Sequence, residues 1–331
     1  MLPSLQEVEV AAATVYAAMA PTPQLCWPLL AERCGTEVWV KHESHTPIGA
    51  FKLRGGLVYL AELMRARPKP AGVIAATRGN HGQSVAFAAQ RAGMRATIVV
   101  PRGNSAEKNA AMRALGAALV EHGHDYQDAY EHAVALAEAE ALHLVPTFHP
   151  WLLRGVASYA LELFRAVAGI DTLYAPLGLG SGICSAIAMR DALGLATRIV
   201  GVAAEAAPAY ALSFARGEPV AAEVAESVAD GLSVRVPNAD ALAVIRRGAE
   251  RVVTVSECEI EAAMRHYFTD THHVAEGAGA AALAALLQER ERVAGRRVAV
   301  VLSGANVDRS VYLRVLGGPE AAARARREAA R

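Results

Sequence analysis

Thr172-Leu173-Tyr174-Ala175-Pro176-Leu177-Gly178-Leu179-Gly180-Ser181-Gly182, running on into Ile183-Cys184-Ser185-Ala186-Ile187-Ala188-Met189-Arg190, decides the fold class. A short, continuously apolar run reads as a strand buried on both faces. The alternating glycines form a tight turn, and the alanine-rich stretch after them reads as a helix. The same grammar recurs along the chain. Apolar or β-branched runs at Glu37–Lys41, Val73–Ala76, Ala96–Val100, Ala118–Glu121, Arg198–Ala203, Arg251–Val255 and Arg297–Leu302 predict further strands. Helical patterns lie between them at Gln83–Ala92, Ala106–Leu115, Asp125–Glu140, Leu153–Ala168 and Glu276–Val293. Strands alternating with helices predict an α/β protein with mostly parallel sheets, whose ligand crevice lies at the carboxyl ends of the strands.

At 331 residues the chain is long enough for two lobes. The 33 basic residues balance the 33 acidic ones, so there is no electrostatic footprint for nucleic acid or an anionic membrane. Cys26, Cys34, Cys184 and Cys258 have neither disulfide-framework nor metal-ligand spacing, which suits a reducing cytoplasm. The N-terminal stretch carries acidic residues where a signal peptide would be basic, and it reads as an amphipathic helix. No apolar run is long enough to span a bilayer.

Only four lysines occur, at positions 41, 52, 69 and 108, in a chain otherwise supplied with arginine. Arginine stays protonated and cannot act as a free amine. Lys52, in Ala50-Phe51-Lys52-Leu53-Arg54-Gly55-Gly56, is thus the candidate for amine chemistry, set against the plainer reading of a solvated helix start. Three loops follow predicted strands. Thr77-Arg78-Gly79-Asn80-His81-Gly82-Gln83-Ser84 opens a helix whose free N–H groups suit a carboxylate or phosphate. Gly178–Gly182 forms an anion nest. As a dinucleotide fingerprint it is poor, because Ile183 stands where the third glycine should be. Ser303, ending Arg297–Leu302, offers a hydroxyl to a heterocycle nitrogen or caps a helix. An amine, a carboxylate loop, a phosphate cup and a partner for a ring nitrogen together match pyridoxal 5′-phosphate with an amino-acid substrate.

With these motifs in order, the chain resembles the serine/threonine dehydratases of the tryptophan-synthase-β group, the fold type II pyridoxal-phosphate enzymes. The likeness runs from Thr22-Pro23 to Leu316-Gly317 through VWVKHESHTPIGAFKLRGG, RGNHGQSVAFAA, the glycine loop, ADGL and VLSGANVD. It implies a large cofactor domain (1–63 and 151–318), a small substrate domain (64–150) and a charged tail (319–331), each domain an open, mostly parallel twisted sheet flanked by helices. It implies that Lys52 carries the cofactor as a Schiff base and acts as general base, with Phe51 on one ring face and Gly231 on the other. Asn80 would meet the ring hydroxyl, Gly178, Leu179, Gly180, Ser181 and Gly182 the phosphate, and Ser303 the ring nitrogen. Thr77, Arg78, Gly79, Asn80 and His81 would hold the substrate carboxylate. The implied reaction is β-elimination from threonine, serine or a bulkier 3-hydroxy amino acid, giving a 2-oxoacid and ammonia, in a cytoplasmic homodimer or homotetramer. A β-replacement synthase and a non-catalytic amino-acid sensor are the alternatives.

The sequence departs from that pattern in places. The phosphate loop reads GLGSG rather than four glycines. Arg78 replaces the serine that serine racemases use as their second acid–base group, so racemisation should be weak or absent. The arginine either contacts an anionic or aryl group of the substrate or turns away into an ion pair. Glu205 matches a metal-binding glutamate, but its acidic companion falls at Ala211, so no metal site is expected. Adjacent His272 and His273 should point apart, with Glu276 nearer the cofactor. With no room for a C-terminal regulatory module, a catabolic role is expected.

Overall fold

The central apolar runs fold as strands because each supplies side chains to two buried faces at once. In the computed structural model, which describes residues 2–66 and 68–318, ten strands form two sheets. They are β1 (Gln24–Cys26), β2 (Glu37–His42), β3 (Gly72–Ala76), β4 (Arg95–Val100), β5 (Ala118–Glu121), β6 (His143–Leu144), β7 (Thr172–Pro176), β8 (Arg198–Ala204), β9 (Arg251–Val255) and β10 (Arg297–Leu302). The charged tail expected over 319–331 lies outside the described residues.

The larger sheet runs β1-β2-β10-β7-β8-β9, parallel except for β1, which pairs antiparallel with β2. The smaller sheet, β5-β4-β3-β6, is wholly parallel. Alternation along β10 shows how both faces are filled. Val298, Val300 and Leu302 join the core beneath the helix Gly277–Gln288, while Ala299 and Val301 join the core under the helices Pro150–Ala166 and Ser181–Ala192. Along β3, Val73 and Ala75 face one core of the smaller sheet, and Ile74 and Ala76 face the other. The α/β class and the mostly parallel sheets are as the sequence predicts.

Three predicted helices move by three residues or more at one end, and the one expected over Leu153–Ala168 spans Pro150–Ala166. The helix expected from Gln83 begins at Asn80, so Asn80 and His81 lie on its first turn. The helix expected over Glu276–Val293 ends at Gln288 and gives way to a short 3-10 turn, Arg290–Val293. No helix among the described residues is long and apolar enough to cross a membrane.

Candidate active site

The loops after β3, β7 and β10 meet at the carboxyl ends of their strands, where a parallel α/β sheet presents its crevice. Lys52 enters from the side, as the first residue of the helix Lys52–Arg65. Its approach is fixed by backbone. Phe51 N–H donates to Ser303 O at 3.0 Å, and Ala50 forms an isolated antiparallel bridge with Gly304. The helix is held from behind by a buried charge network. Arg54, fully buried, donates to both oxygens of Glu43 (2.6 and 2.9 Å) and both of Glu162 (2.6 and 2.9 Å). Lys41, also fully buried, donates to Glu162 at 2.6 Å and to Thr22 O at 2.7 Å. Burial alone would raise the Glu162 pKa, but Arg54 and Lys41 outweigh it and hold the carboxyl below its ordinary value.

Lys41 is thereby committed to structure, Lys108 pairs with Asp230 at 2.7 Å, and Lys69 is exposed. The Lys52 amine has a different setting. Its Nζ makes one hydrogen bond, to Ser181 Oγ at 3.3 Å, and lies 5.2 Å from the Phe51 ring centroid. Burial without a carboxylate partner pushes its pKa down to about 8.

Ser181 sits at the head of the glycine loop. Gly180 takes the left-handed conformation (φ 94°) that lets β7 turn straight into the helix Ser181–Ala192. At Gly178 the constraint is space, since a Cβ there would lie 2.4 Å from Gly231 O. Among the described residues the N–H groups of Gly178 through Gly182 make no hydrogen bond, so five donors converge at a helix N-terminus. Gly182 lies against the Phe51 ring, with an added Cβ 3.8 Å from it.

The loop after β3 is braced internally. Thr77 Oγ1 accepts from Gly79 N–H (2.9 Å) and Gly82 N–H (3.2 Å), while the N–H groups of Arg78, Asn80 and His81 stay unpaired among the described residues. His81 is buried with Nε2 unpartnered. Burial and the Lys52 charge push its pKa to about 3, so the ring is neutral. Asn80 donates from Nδ2 to Glu276 Oε1 at 2.7 Å and accepts from Asn306 Nδ2 at 2.8 Å. Arg78 is exposed and forms no ion pair or hydrogen bond among the described residues. The Ser303 hydroxyl, 6% exposed, is likewise unpaired among them.

Glu276 and Lys108 complete the cleft. Glu276 is buried, with Oε2 unpartnered, and burial pushes its pKa up to about 7 against the opposing pull of Lys108. The Lys108 stem packs over Gly79, where an added Cβ would lie 2.6 Å from its Cδ. Burial works against its charge, but Asp230 and Glu276 outweigh it and hold the amine above its usual pKa. Sequence reasoning passed over Lys108, although the scarcity that singled out Lys52 applies equally to it. Glu205 is exposed and, among the described residues, belongs to no group of three potential metal ligands. Among the described residues such a group does form from His42, His45 and His273, while His272 is exposed at the end of its helix.

The residues fit a phosphorylated pyridine aldehyde. The glycine loop offers five N–H donors to its phosphate, Lys52 an amine of lowered pKa to its aldehyde, and Ser303 a free hydroxyl to its ring nitrogen. Comparison with known proteins agrees. The model of the family "Pyridoxal-phosphate dependent enzyme" matches residues 15–304. The biosynthetic L-threonine dehydratase of Pasteurella multocida is 33% identical over 303 residues, covering 90% of this chain, and the chain spans 59% of that relative's length. The L-threo-3-hydroxyaspartate ammonia-lyase of Saccharomyces cerevisiae is 32% identical, covering 90% of this chain and 92% of its own. The processed form of threonine deaminase isoform 2 from Solanum lycopersicum superposes with a TM-score of 0.87 at 28% identity, covering 97% of this chain and 95% of its own. A cleft built for this cofactor, on a chain matched by the family model over most of its length, leads to one assignment: the chain belongs to the pyridoxal-phosphate-dependent enzyme family.

Proposed function

We propose that the chain is an ammonia-lyase that removes water from a β-hydroxy amino acid and releases a 2-oxoacid and ammonia. One observation carries the reading. Lys52, an amine of lowered pKa, stands 3.3 Å from Ser181 at the head of an unpaired N–H cup. When bound, pyridoxal phosphate supplies an electron sink that acidifies the substrate Cα–H.

The chain's own groups do the rest. With a pKa of about 8, roughly a tenth of Lys52 Nζ is free amine at pH 7 and half at pH 8, and it takes the Cα proton as general base. Ser181 Oγ orients that amine. The unpaired N–H groups of Arg78, Asn80 and His81, at the start of a helix, hold the substrate carboxylate. Ser303 can share a hydrogen bond with the ring nitrogen but, unlike a carboxylate, does not stabilise a charge there, which favours prompt loss of the β-hydroxyl over long-lived carbanions. Arg78, exposed beside this loop and without an ion pair among the described residues, supports a substrate bearing a second anionic or an aromatic group at Cβ. The yeast relative's name points to the same substrate class.

The test is a screen of threonine, serine, threo-3-hydroxyaspartate and aryl-serines for ammonia and 2-oxoacid released in equal amounts. Turnover only in the presence of an added thiol, with no 2-oxoacid, would replace this reading by β-replacement. Cofactor binding without turnover of any of them would favour a sensor. The reading also implies a homodimer or homotetramer, which light scattering measures.

A further inference from the structure

His42 ends β2, His45 closes the 3-10 turn Glu43–His45 that follows it, and His273 comes just after the helix Glu257–Thr271. One ring nitrogen from each lies within 4.8 Å of the other two. The rings form one cluster, with centroids 4.6 Å apart for His42 and His273, 5.1 Å for His45 and His273, and 5.2 Å for His42 and His45. We propose that His42, His45 and His273 form a binding site for a borderline divalent transition-metal ion of the Zn²⁺ class, built from residues that take no part in holding the cofactor.

Three observations support it. His42 is fully buried, yet its Nδ1 has no partner. His273 Nδ1 lies 2.7 Å from Thr271 O, and because a carbonyl only accepts, that nitrogen carries the proton and leaves the Nε2 lone pair free. This backbone anchoring of the second ring nitrogen is how proteins orient metal-binding histidines. An all-imidazole donor set selects Zn²⁺, Ni²⁺ or Cu²⁺ over Mg²⁺ or Ca²⁺, which want oxygen. His45 is exposed, giving an entry path and leaving a fourth position to water.

Trp27 adds a constraint. Its Nε1–H donates to His42 Nε2 at 2.9 Å, so neutral His42 carries its own proton on Nδ1. Ligation by His42 must exchange that indole bond for the metal or turn the ring about Cβ–Cγ. Tetrahedral Zn–N bonds of about 2.0–2.1 Å also place ligand nitrogens roughly 3.3 Å apart, so the rings must draw in, and His45 has the freedom to do so. The ion would tie the chain just before Lys52 to the chain just before Glu276.

The experiment takes holoenzyme treated with chelator, dialysed, and titrated with ZnCl₂, following heat by calorimetry, metal content by elemental analysis and tryptophan fluorescence. One equivalent per chain is expected, with a rise in thermal midpoint because only the folded chain assembles the three ligands. His45→Gln, at an exposed position, and His273→Ala should each weaken binding by at least about ten-fold. His124→Ala, at an exposed position on the smaller domain, should leave it unchanged. Trp27→Phe should keep the bound equivalent while abolishing the fluorescence change. No stoichiometric Zn²⁺ in the wild type, or a bound equivalent that survives both His45→Gln and His273→Ala, overturns the proposal.

Discussion

Replacing Arg54 by methionine would leave Glu43 and Glu162 buried with Lys41 as their only cation. The wild-type cluster holds two positive and two negative charges, and Arg54 makes two hydrogen bonds to each carboxylate, with Ser158 (2.8 Å) on the second Nη1 hydrogen and Thr22 Oγ1 (3.0 Å) sharing Nη2 with the two glutamates. Methionine fills much of the volume, so the loss is chiefly electrostatic. Breaking a buried pair by removing one partner costs about 3–5 kcal/mol, a large share of the roughly 5–15 kcal/mol that stabilises a domain. The penalty should depend on pH. Without Arg54, burial raises the Glu162 pKa. The variant's carboxyl then takes a proton as pH falls towards 5, and part of the deficit disappears. Urea unfolding at pH 5 and pH 8, followed by circular dichroism, measures this for wild type, Arg54→Met and Arg54→Met/Glu162→Gln. The double variant restores one cation to one anion and should recover at least about 1.5 kcal/mol at pH 8. Elimination activity should fall as well, since Arg54 lies one half-turn beyond Lys52. A deficit below about 1 kcal/mol, or a double variant no better than the single, would refute the claim that this network holds the helix Lys52–Arg65.

Borohydride reduction of holoenzyme followed by peptide mapping should place the fixed cofactor on Lys52, and Lys52→Ala should lose roughly 10³-fold or more in turnover; label on Lys41, Lys69 or Lys108 would reverse the assignment. Gly178→Ala sets a methyl against Gly231 O and should cost about 1–3 kcal/mol in overpacking, read as weaker pyridoxal-phosphate binding in equilibrium dialysis, and unchanged affinity would count against the loop geometry. The Glu276 pKa is raised in the fold from 4.5 to about 7, so its neutral form stabilises fully below pH 4.5, and this contribution is lost as pH rises through 7. Glu276→Gln should therefore gain on wild type by up to about 3 kcal/mol between pH 4.5 and pH 8 in cofactor-free protein, whereas a pH-independent difference would show that the carboxyl is not buried as described. Arg78→Ser should lower kcat/KM on the preferred hydroxy amino acid roughly 30- to 1000-fold more than on serine if the guanidinium grips the substrate, and an unchanged ratio retires that contact.

The central strands were legible because burial on both faces forces a continuous apolar run, a pattern needing no knowledge of the partner strand. β1 and β6, three and two residues long, are too short to carry any period, and both escaped the sequence reading. The helix start at Asn80 was missed for another reason. Asn, His and Gly read as loop residues, and the chain coils there because the Thr77 hydroxyl takes the N–H groups of Gly79 and Gly82. Motif residues local to one loop, Gly178 through Gly182 above all, could be picked out from their spacing as a candidate anion nest. Lys108 with Asp230, and Asn80 with Glu276, could not, because those pairs come from opposite sides of the cleft and only the fold brings them together. The histidine cluster is hidden in the same way, since His273 draws notice only beside His272 and its partners His42 and His45 lie about 230 residues earlier.

The order of strands in the larger sheet bears on how the chain is made. β2 is bracketed by β1 and β10, and its register sets Glu37 against Arg297, 260 residues away. At about 5–20 residues per second on a ribosome, β10 emerges roughly 13–50 s after β2. The smaller sheet draws only on residues between β3 and β6 and can close within that interval. β2 must wait, with one row of backbone donors and acceptors open beside Val38 and Val40, an apolar edge that invites pairing with another nascent chain. A chaperone that shields this edge, or synthesis slow enough to keep polysomes sparse, should raise the yield of folded protein more than any change within the cleft.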